Sequence, residues 1–144
     1  MNASVSQAQK IDFIFSQLVL TQLDRRVITC VYHYPAEQAA LARISASDSA
    51  VAERFEVFCE GIELANGYVE LLDSKILLAR FEKDQQVRAS QGLSDIEVDR
   101  RLLDALNHGL PDCAGVAVGF DRLLMLALGA TKIEQVMSFN WGNA

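Results

Sequence analysis

Residues 54–72, RFEVFCEGIELANGYVELL, contain the strongest fold signal in the chain. Two runs rich in aromatic, valine and leucine side chains flank the pair Glu60-Gly61, which suits a two-residue β-hairpin turn. The hairpin predicts an antiparallel sheet, because only antiparallel strands can be joined by so short a turn. The expected pairs across it are Cys59 with Ile62, Phe58 with Glu63, and Glu56 with Ala65.

The N-terminal part of the chain predicts a helix, a strand and a turn. Apolar residues at helical spacing favour a helix over about residues 8–22, whereas the polar residues 1–10 are expected to be frayed. The β-branched and aromatic run at residues 26–34 favours a strand that Pro35 ends. Residues 36–44 are expected to form a short helical turn.

The region after the hairpin predicts two capped helices. One is expected to start at Asp73 and to end before Gly92. The next is expected to have Ser94 as its N-cap and to stop at Gly109. With no repeat or linker in the sequence, residues 1–144 are interpreted as a single α+β domain, an antiparallel sheet flanked by helices.

Residues 115–126, GVAVGFDRLLML, predict a glycine-spaced strand followed by a buried helix, with Leu123 to Leu128 in the core. The helix begins with an acid and a base, Asp121 and Arg122. A helix N-terminus is partly positive, so the aspartate suits it and the arginine does not. An anion bound by both the arginine and the helix end would explain Arg122, and so would an ion pair with a structural carboxylate.

Composition restricts the function classes. The 144 residues carry a net charge of −6, which disfavours broad attraction to nucleic acid. Hydrophobic residues make up 51% of the chain, enough for a packed core. No apolar run reaches the roughly 20 residues that a membrane span needs. We therefore expect a cytoplasmic protein without membrane association.

Neither the cysteines nor the histidines have the spacing of a metal site. Cys30, Cys59 and Cys113 lie far apart, so reduced, core-like thiols are favoured over a disulfide framework or a zinc site. His33 and His108 stand alone and are interpreted as structural.

The hairpin carries glutamates in strands that are expected to be half-buried. With the expected pairing, Glu56 and Glu63 are diagonal neighbours on one face, roughly 7–8 Å apart at the backbone. Two carboxylates at this distance repel unless water screens them or a cation lies between them. Magnesium bound to a substrate's phosphates favours such a pair, and solvated glutamates on an exposed strand face are the alternative.

Strict alternation separates the polar residues of the second strand. Asn66, Tyr68 and Glu70 would share one face, and Glu63 would lie on the other. Either these residues serve two surfaces, or a β-bulge near residues 65–67 brings them together. The Asn-Gly pair within the strand favours a bulge, because both residues tolerate unusual dihedral angles.

Three stretches together resemble the class II lysyl-tRNA synthetases, and most closely the related elongation factor P–(R)-β-lysine ligase family. A glycine-rich strand that ends in Gly-x-Asp-Arg before a helix is similar to class II motif 3. The likeness extends over about residues 28–139. The stretches that carry it are VYHYPAEQAALARIS (31–45), RFEVFCEGIELANGYVEL (54–71) and GLPDCAGVAVGFDRLLMLALGA (109–130).

The resemblance implies a partial class II catalytic domain that uses ATP and magnesium. Such a domain activates lysine or (R)-β-lysine as an adenylate, and the acceptor is elongation factor P rather than tRNA. The resemblance assigns Glu56 and Glu63 to magnesium and ATP, and Arg122 to the γ-phosphate as the catalytic arginine. It assigns five residues to the amino-acid pocket, with Glu70 receiving the side-chain ammonium: Asn66, Tyr68, Glu70, Ala117 and Gly119.

Ala117 is the position at which the resemblance separates the two amino acids. Lysyl-tRNA synthetases usually have glycine there, whereas the β-lysine ligases have alanine, as this chain does. The extra methyl group is expected to disfavour α-lysine by roughly 1–3 kcal/mol. Packing of the strand against the helix is the alternative role for this residue.

The sequence has no counterpart of class II motifs 1 and 2. The first interpretation is therefore the motif 3 half of a ligase, as a fragment of a longer protein. A non-catalytic binding module and an inactive remnant are the alternatives. Half a catalytic domain leaves sheet edges and apolar helix faces uncovered, so we also expect a homo-oligomer.

Overall fold

The computed structural model describes residues 5–142 and contains a four-stranded antiparallel sheet in the order β1-β2-β3-β4. The strands are β1 (Thr29–Pro35), β2 (Val51–Cys59), β3 (Ile62–Val69) and β4 (Ala114–Val118). The helices are α1 (Gln7–Ile14), α2 (Leu20–Gln22), α3 (Ser74–Ser90), α4 (Arg100–His108) and α5 (Phe120–Ala127), with a π-helical segment (Phe15–Val19) between α1 and α2. The predicted α+β class with an antiparallel sheet is confirmed.

The turn between β2 and β3 is the predicted one. Glu60 and Gly61 both have left-handed backbone conformations, with φ of +53° and +79°. This turn matches the right-handed twist of the two strands. The ladder next to the turn has the predicted register, because Cys59 pairs with Ile62 at its end.

Farther from the turn, a β-bulge changes the register of the hairpin. The predicted pair of Glu56 with Ala65 is wrong, and Glu56 lies opposite Asn66. The cause is Leu64, an extra residue in β3 at the point where the ladder shifts. A bulge was expected slightly later in the strand. Because cross-strand partners share a face, the extra residue brings Glu63 to the same face as Asn66.

The helical segment before the sheet begins earlier than predicted. The helix expected over residues 8–22 is confirmed as α1, the π-helical segment and α2 in succession. Ser6 caps α1 through a capping box. The expected fraying of residues 1–10 is therefore wrong from Ser6 onward, and residues 1–4 lie outside the described part of the chain.

Of the two helices after the hairpin, α3 has the predicted N-cap residue and α4 has another one. Asp73 caps α3 as expected, by accepting from two backbone N–H groups of its first turn. The N-cap of α4 is Asp99, and the predicted Ser94 cap is wrong. Asp99 immediately precedes the apolar stripe of α4, so its carboxylate reaches the first-turn N–H groups that Ser94 cannot reach. Gly109 ends α4 with a φ of +94°, as predicted.

Two small apolar clusters form the core. One consists of Ala39, Ala42 and Ala52, with Tyr68 packed against it. The other joins α3 and α4 through a set of leucines at the end of the sheet: Leu71, Leu77 and Leu106. The first cluster supports the strand residues that surround the candidate site.

The unit formed by β4 and α5 is much more exposed than the sequence predicts. Every residue of β4 is exposed, and no residue of α5 is buried. Leu123 is 43% exposed and Leu128 is 68% exposed, so the prediction that Leu123 to Leu128 lie in the core is wrong. Within residues 5–142, β4 is an edge strand with β3 as its one partner, and nothing on its free side covers these side chains.

The cysteines are free thiols, and Cys30 is exposed and therefore not the core residue that was expected. No helix in the described part of the chain combines the length and apolar character needed to cross a membrane.

Candidate active site

Two rows of residues cross the middle strands on one face of the sheet. Glu56, Asn66 and Ala117 form one row, since Asn66 is paired with both of the others. The neighbouring row has Tyr68 at its centre, paired with Arg54 and Gly115. Paired residues share a face, so the sheet brings together most of the residues that the resemblance assigns to the site.

Glu56 lies at the centre of a hydrogen-bonded cluster. Its Oε2 accepts from the Tyr34 hydroxyl at 2.7 Å, and its Oε1 accepts from Arg54 Nη2 at 2.6 Å and from Asn66 Nδ2 at 3.2 Å. The ion pair is well shielded, with side chains 17% and 12% exposed for Arg54 and Glu56. Arg54 also lies over the Tyr34 ring, 4.7 Å from its centroid, an arrangement that adds a cation–π attraction.

Burial and Glu56 both act on the Tyr34 hydroxyl. Burial raises the pKa of Tyr34 most strongly, and the hydrogen bond to Glu56 raises it further. The negative charge of Glu63 also raises it, an electrostatic contribution that falls with distance. Tyr34 therefore stays neutral and donates a hydrogen bond to Glu56 across the ordinary pH range.

Two buried polar atoms in this cluster have no hydrogen-bond partner within residues 5–142: Arg54 Nε and Asn66 Oδ1. Because a carboxylate only accepts hydrogen bonds, Glu56 fixes the Asn66 amide with its nitrogen inward and leaves the oxygen unpaired. An unpaired buried acceptor costs about 1–3 kcal/mol. A donor supplied by a ligand would relieve this cost.

The predicted magnesium pair is only partly available for a cation. Glu63 forms no ion pair or side-chain hydrogen bond within the described residues. Glu56 already has donors on both oxygens. The described residues contain no cluster of three or more metal-ligating side chains, but magnesium is often held by one or two carboxylates together with phosphates and water. The donor chemistry fits such a site, with Glu63 as the available carboxylate and Glu56 beside it already engaged by Tyr34, Arg54 and Asn66.

Glu70 differs from Glu56 in having no partner for its charge. Its side chain is half-buried and forms no hydrogen bond or ion pair within residues 5–142. Its backbone is fixed, because its N–H donates to the Cys113 carbonyl at 3.0 Å. Burial raises the pKa of the Tyr68 hydroxyl most strongly, and the negative charge of Glu70 raises it further. A positioned carboxylate without a cation is suited to bind a ligand's ammonium group.

Arg122 lies at the other end of this face. Its Nη1 donates to the backbone carbonyl of Glu63 at 2.8 Å. It forms no ion pair within the described residues, so no carboxylate in this part of the chain is its structural partner. Gly119 leaves room for the arginine stem, because a Cβ at Gly119 would lie 3.2 Å from Arg122 Cδ. The exposed guanidinium keeps donors available for an anion near the start of α5.

Sequence reasoning missed Arg54 and Tyr34 as parts of the site. Arg54 is two positions before Glu56 in β2, so strand alternation predicts that both side chains share a face. Tyr34 had no such signal, because its contact with Glu56 depends on the pairing of β1 with β2 and on a bulge near Tyr32. Long-range register of this kind is not readable from one strand alone.

The sequence of the chain matches a known family. The family model described as tRNA synthetases class II (D, K and N) matches residues 7–141. The chain therefore belongs to this class II synthetase family, as the sequence predicted.

Curated relatives narrow the likeness further. An elongation factor P–(R)-β-lysine ligase of Mannheimia succiniciproducens is 52% identical over 134 residues, which is 93% of this chain. Ligases of the same name from Pasteurella multocida and Yersinia enterocolitica are 50% and 52% identical over the same share of this chain. The chain spans only 42%, 42% and 41% of the length of these three relatives.

Proposed function

We propose that this chain carries the amino-acid and phosphate contacts of an ATP-dependent ligase. The ligase would activate lysine or (R)-β-lysine as an adenylate and transfer it to elongation factor P. The observation that carries the proposal is the half-buried Glu70 carboxylate, which has no cation partner within residues 5–142. The names of the relatives supply elongation factor P and β-lysine as the candidate acceptor and amino acid.

The amino-acid end of the site would be the row around Tyr68. Glu70 would receive the side-chain ammonium, since a charge-assisted hydrogen bond to a fixed carboxylate is among the stronger polar contacts. Asn66 Oδ1 would accept from a ligand N–H, which would satisfy the unpaired buried oxygen. Tyr68 is held by its packing on the alanine cluster and would form one wall of this pocket.

The phosphate end would lie between Glu63 and Arg122. Arg122 would bind the γ-phosphate, with the N-terminus of α5 adding its partial positive charge. Magnesium, when bound, would neutralise phosphate charge beside Glu63. Because phosphoryl chemistry needs positioning and charge stabilisation more than acid–base groups, Arg122 would act as the catalytic residue by stabilising charge.

Ala117 would set the choice between the two lysines. It is paired with Asn66, so its methyl group lies on the face where the ligand's amine would bind. We expect Ala117→Gly to shift the preference from (R)-β-lysine towards α-lysine by roughly 10- to 200-fold. Rates of adenylate formation with both amino acids would measure this, and an unchanged ratio would show that the methyl group only packs the strand.

Amino-acid-dependent exchange of pyrophosphate into ATP tests the activity. A ligase that contains this segment is expected to catalyse exchange with lysine or β-lysine, and Arg122→Ala and Glu70→Gln within the segment are expected to abolish it. Arg26→Ala, which changes an exposed arginine paired with Asp24, is the control. Lysine binding without exchange would favour the non-catalytic binding module, and the absence of both would contradict the proposal.

Nucleotide binding tests the metal assignment separately. We expect ATP to bind more tightly with magnesium than without it, and we expect Glu63→Gln to remove most of this difference. Titration calorimetry with and without magnesium measures both affinities. Equal ATP affinities with and without magnesium in the wild-type chain would contradict a magnesium site at Glu63 and Glu56.

The cellular location and the oligomeric state of the protein are also proposals. We propose a cytoplasmic protein that self-associates through the exposed residues of β4 and α5, where Val116, Val118 and Phe120 are 54–70% exposed. Light scattering is expected to give more than the mass of one chain. Val116→Glu, which adds a charge to the exposed edge strand, is expected to reduce that mass, and a monomeric wild-type chain would contradict the proposal.

A further inference from the structure

Gly115 has no backbone reason to be a glycine. Its φ lies outside the left-handed region that favours glycine, unlike Gly61 and Gly109. It lies in the middle of β4, where glycine weakens a strand and alanine would be better tolerated. Its partner Tyr68 in β3 fixes the register. The missing side chain therefore serves something other than the strand itself.

The space at Gly115 is occupied by the Glu70 side chain. A Cβ at Gly115 would lie 2.8 Å from Glu70 Oε1, and no other atom outside its chain neighbours would lie within 4 Å of it. Contact closer than 3 Å cannot be kept, so one of the two groups would have to move. The end of a glutamate side chain rotates easily, whereas paired strands do not. An added methyl group would thus displace the carboxylate and leave the sheet in place.

We propose that Gly115 is a positioning residue for substrate recognition. Its bare Cα leaves the space in which the Glu70 carboxylate lies, and so it determines where the substrate's side-chain ammonium is received. This inference rests on the proposed function. It adds that the β4 glycine acts on amino-acid affinity through Glu70 without touching the ligand.

Neighbouring positions distinguish this role from a general need for small residues. Gly67 faces a different constraint, since a Cβ there would lie 2.6 Å from the Phe55 ring and 2.8 Å from the Gly115 carbonyl oxygen. Val116 is next to Gly115 on the opposite face of β4 and is 55% exposed. Val116→Ala is therefore the matched control for Gly115→Ala.

The position of the carboxylate can be measured without any ligand. The ¹³C carboxyl resonance of Glu70, assigned by its loss in Glu70→Gln, is expected to shift in Gly115→Ala and to stay unchanged in Val116→Ala. An unchanged resonance in Gly115→Ala would overturn the proposal whatever the chain does with lysine. If Gly115→Ala fails to fold, Glu70→Ala is expected to restore folding by removing the clash. Failure of that rescue would show that the glycine serves the backbone, and would also overturn the proposal.

Lysine affinity tests the functional half of the proposal. Gly115→Ala is expected to bind lysine roughly 10- to 100-fold more weakly than the wild type, by loss of a hydrogen bond to a charged group. Val116→Ala is expected to bind it normally. In a Glu70→Gln chain, Gly115→Ala is expected to cause no further loss, and a full additional loss would contradict action through Glu70. If the wild-type chain does not bind lysine while the resonance still shifts, the proposed function fails and the contact between Gly115 and Glu70 stands.

Discussion

Two glutamates of this sheet, Glu56 in β2 and Glu70 just after β3, have opposite surroundings. Glu56 has donors from three side chains and an ion pair at 2.6 Å. Glu70, four residues beyond Asn66 in sequence, has a fixed backbone and no partner for its charge within residues 5–142. A buried charge is costly unless it is paired. We propose from this difference that Glu56 stabilises the site and that Glu70 is available for a ligand.

The position in the sheet explains the difference. Glu56 lies in β2, between two strands that both supply donors: Tyr34 from β1 and Asn66 from β3. Glu70 follows β3 beside the edge strand β4, where Gly115, next to the Glu70 carboxylate, has no side chain to offer. Glu56, in an inner strand, has strands on both sides and lies in a closed polar cluster, whereas the β4 edge leaves an open carboxylate at Glu70.

The largest expected effect comes from breaking the closed cluster. Arg54→Met leaves the Glu56 charge buried without its cation, and we expect a loss of about 3 kcal/mol in the free energy of unfolding. Denaturant unfolding measures it. Arg43→Met, which breaks the more exposed pair with Asp112, is the control and should cost less than about 1 kcal/mol. Equal losses would mean that the Arg54–Glu56 pair has no special role.

Gly67→Ala should have the next largest effect, because Gly67 lies in β3 between the residues of the two rows. Its new methyl group would meet the Phe55 ring and the Gly115 backbone. We expect a loss of about 2 kcal/mol by overpacking. Thermal unfolding measures it against Gly115→Ala, in which only a flexible carboxylate must move. A larger loss in Gly115→Ala would reverse the interpretation of these two glycines.

Tyr34→Phe should cost about 1 kcal/mol near neutral pH through the lost hydrogen bond to Glu56. Because the pKa of Tyr34 is raised from 10.0 in the folded chain, its contribution to stability is complete below pH 10 and is lost as the pH rises further. Tyr34→Phe should therefore reduce the fall in stability above pH 10. Tyr32→Phe, at a residue that is 66% exposed, should leave that fall unchanged, and an equal response of both variants would contradict the account.

Glu70→Gln should have the smallest effect on stability. The wild-type carboxylate has no partner to lose, so we expect a change within about 0.5 kcal/mol, because removing an unpaired charge leaves no donor unsatisfied. Denaturant unfolding alongside Glu56→Gln gives the comparison. A loss as large as that of Glu56→Gln would show that Glu70 is structural.

Local sequence signals predicted the parts of the fold that depend on few residues. Glu60 and Gly61 specify their turn through left-handed backbone angles, and Asp73 specifies a helix start through its carboxylate. The Ser94 cap failed because another acid, Asp99, lies closer to the apolar stripe. In each case, the outcome depends on groups within one or two turns of chain.

Longer-range features were predicted less well. The bulge at Leu64 was anticipated only approximately, although it decides whether Glu63 shares a face with Asn66. Apolar periodicity placed Leu123 in the core, but periodicity cannot tell whether another part of a protein covers that face. The residues assigned by resemblance do lie on one sheet face or at its end, and their roles in binding stay predictions.

Lysine binding tests the central claim most directly. Titration calorimetry compares lysine with norleucine, which has a hydrogen atom in place of the side-chain ammonium, for the wild-type chain and Glu70→Gln. The account predicts that the wild type binds lysine at least about 10-fold more tightly than norleucine, and that Glu70→Gln removes this preference while its unfolding free energy is unchanged. Equal binding of the two amino acids by the wild type, or a lysine preference that persists in Glu70→Gln, would contradict the assignment of Glu70 as the open carboxylate of the site.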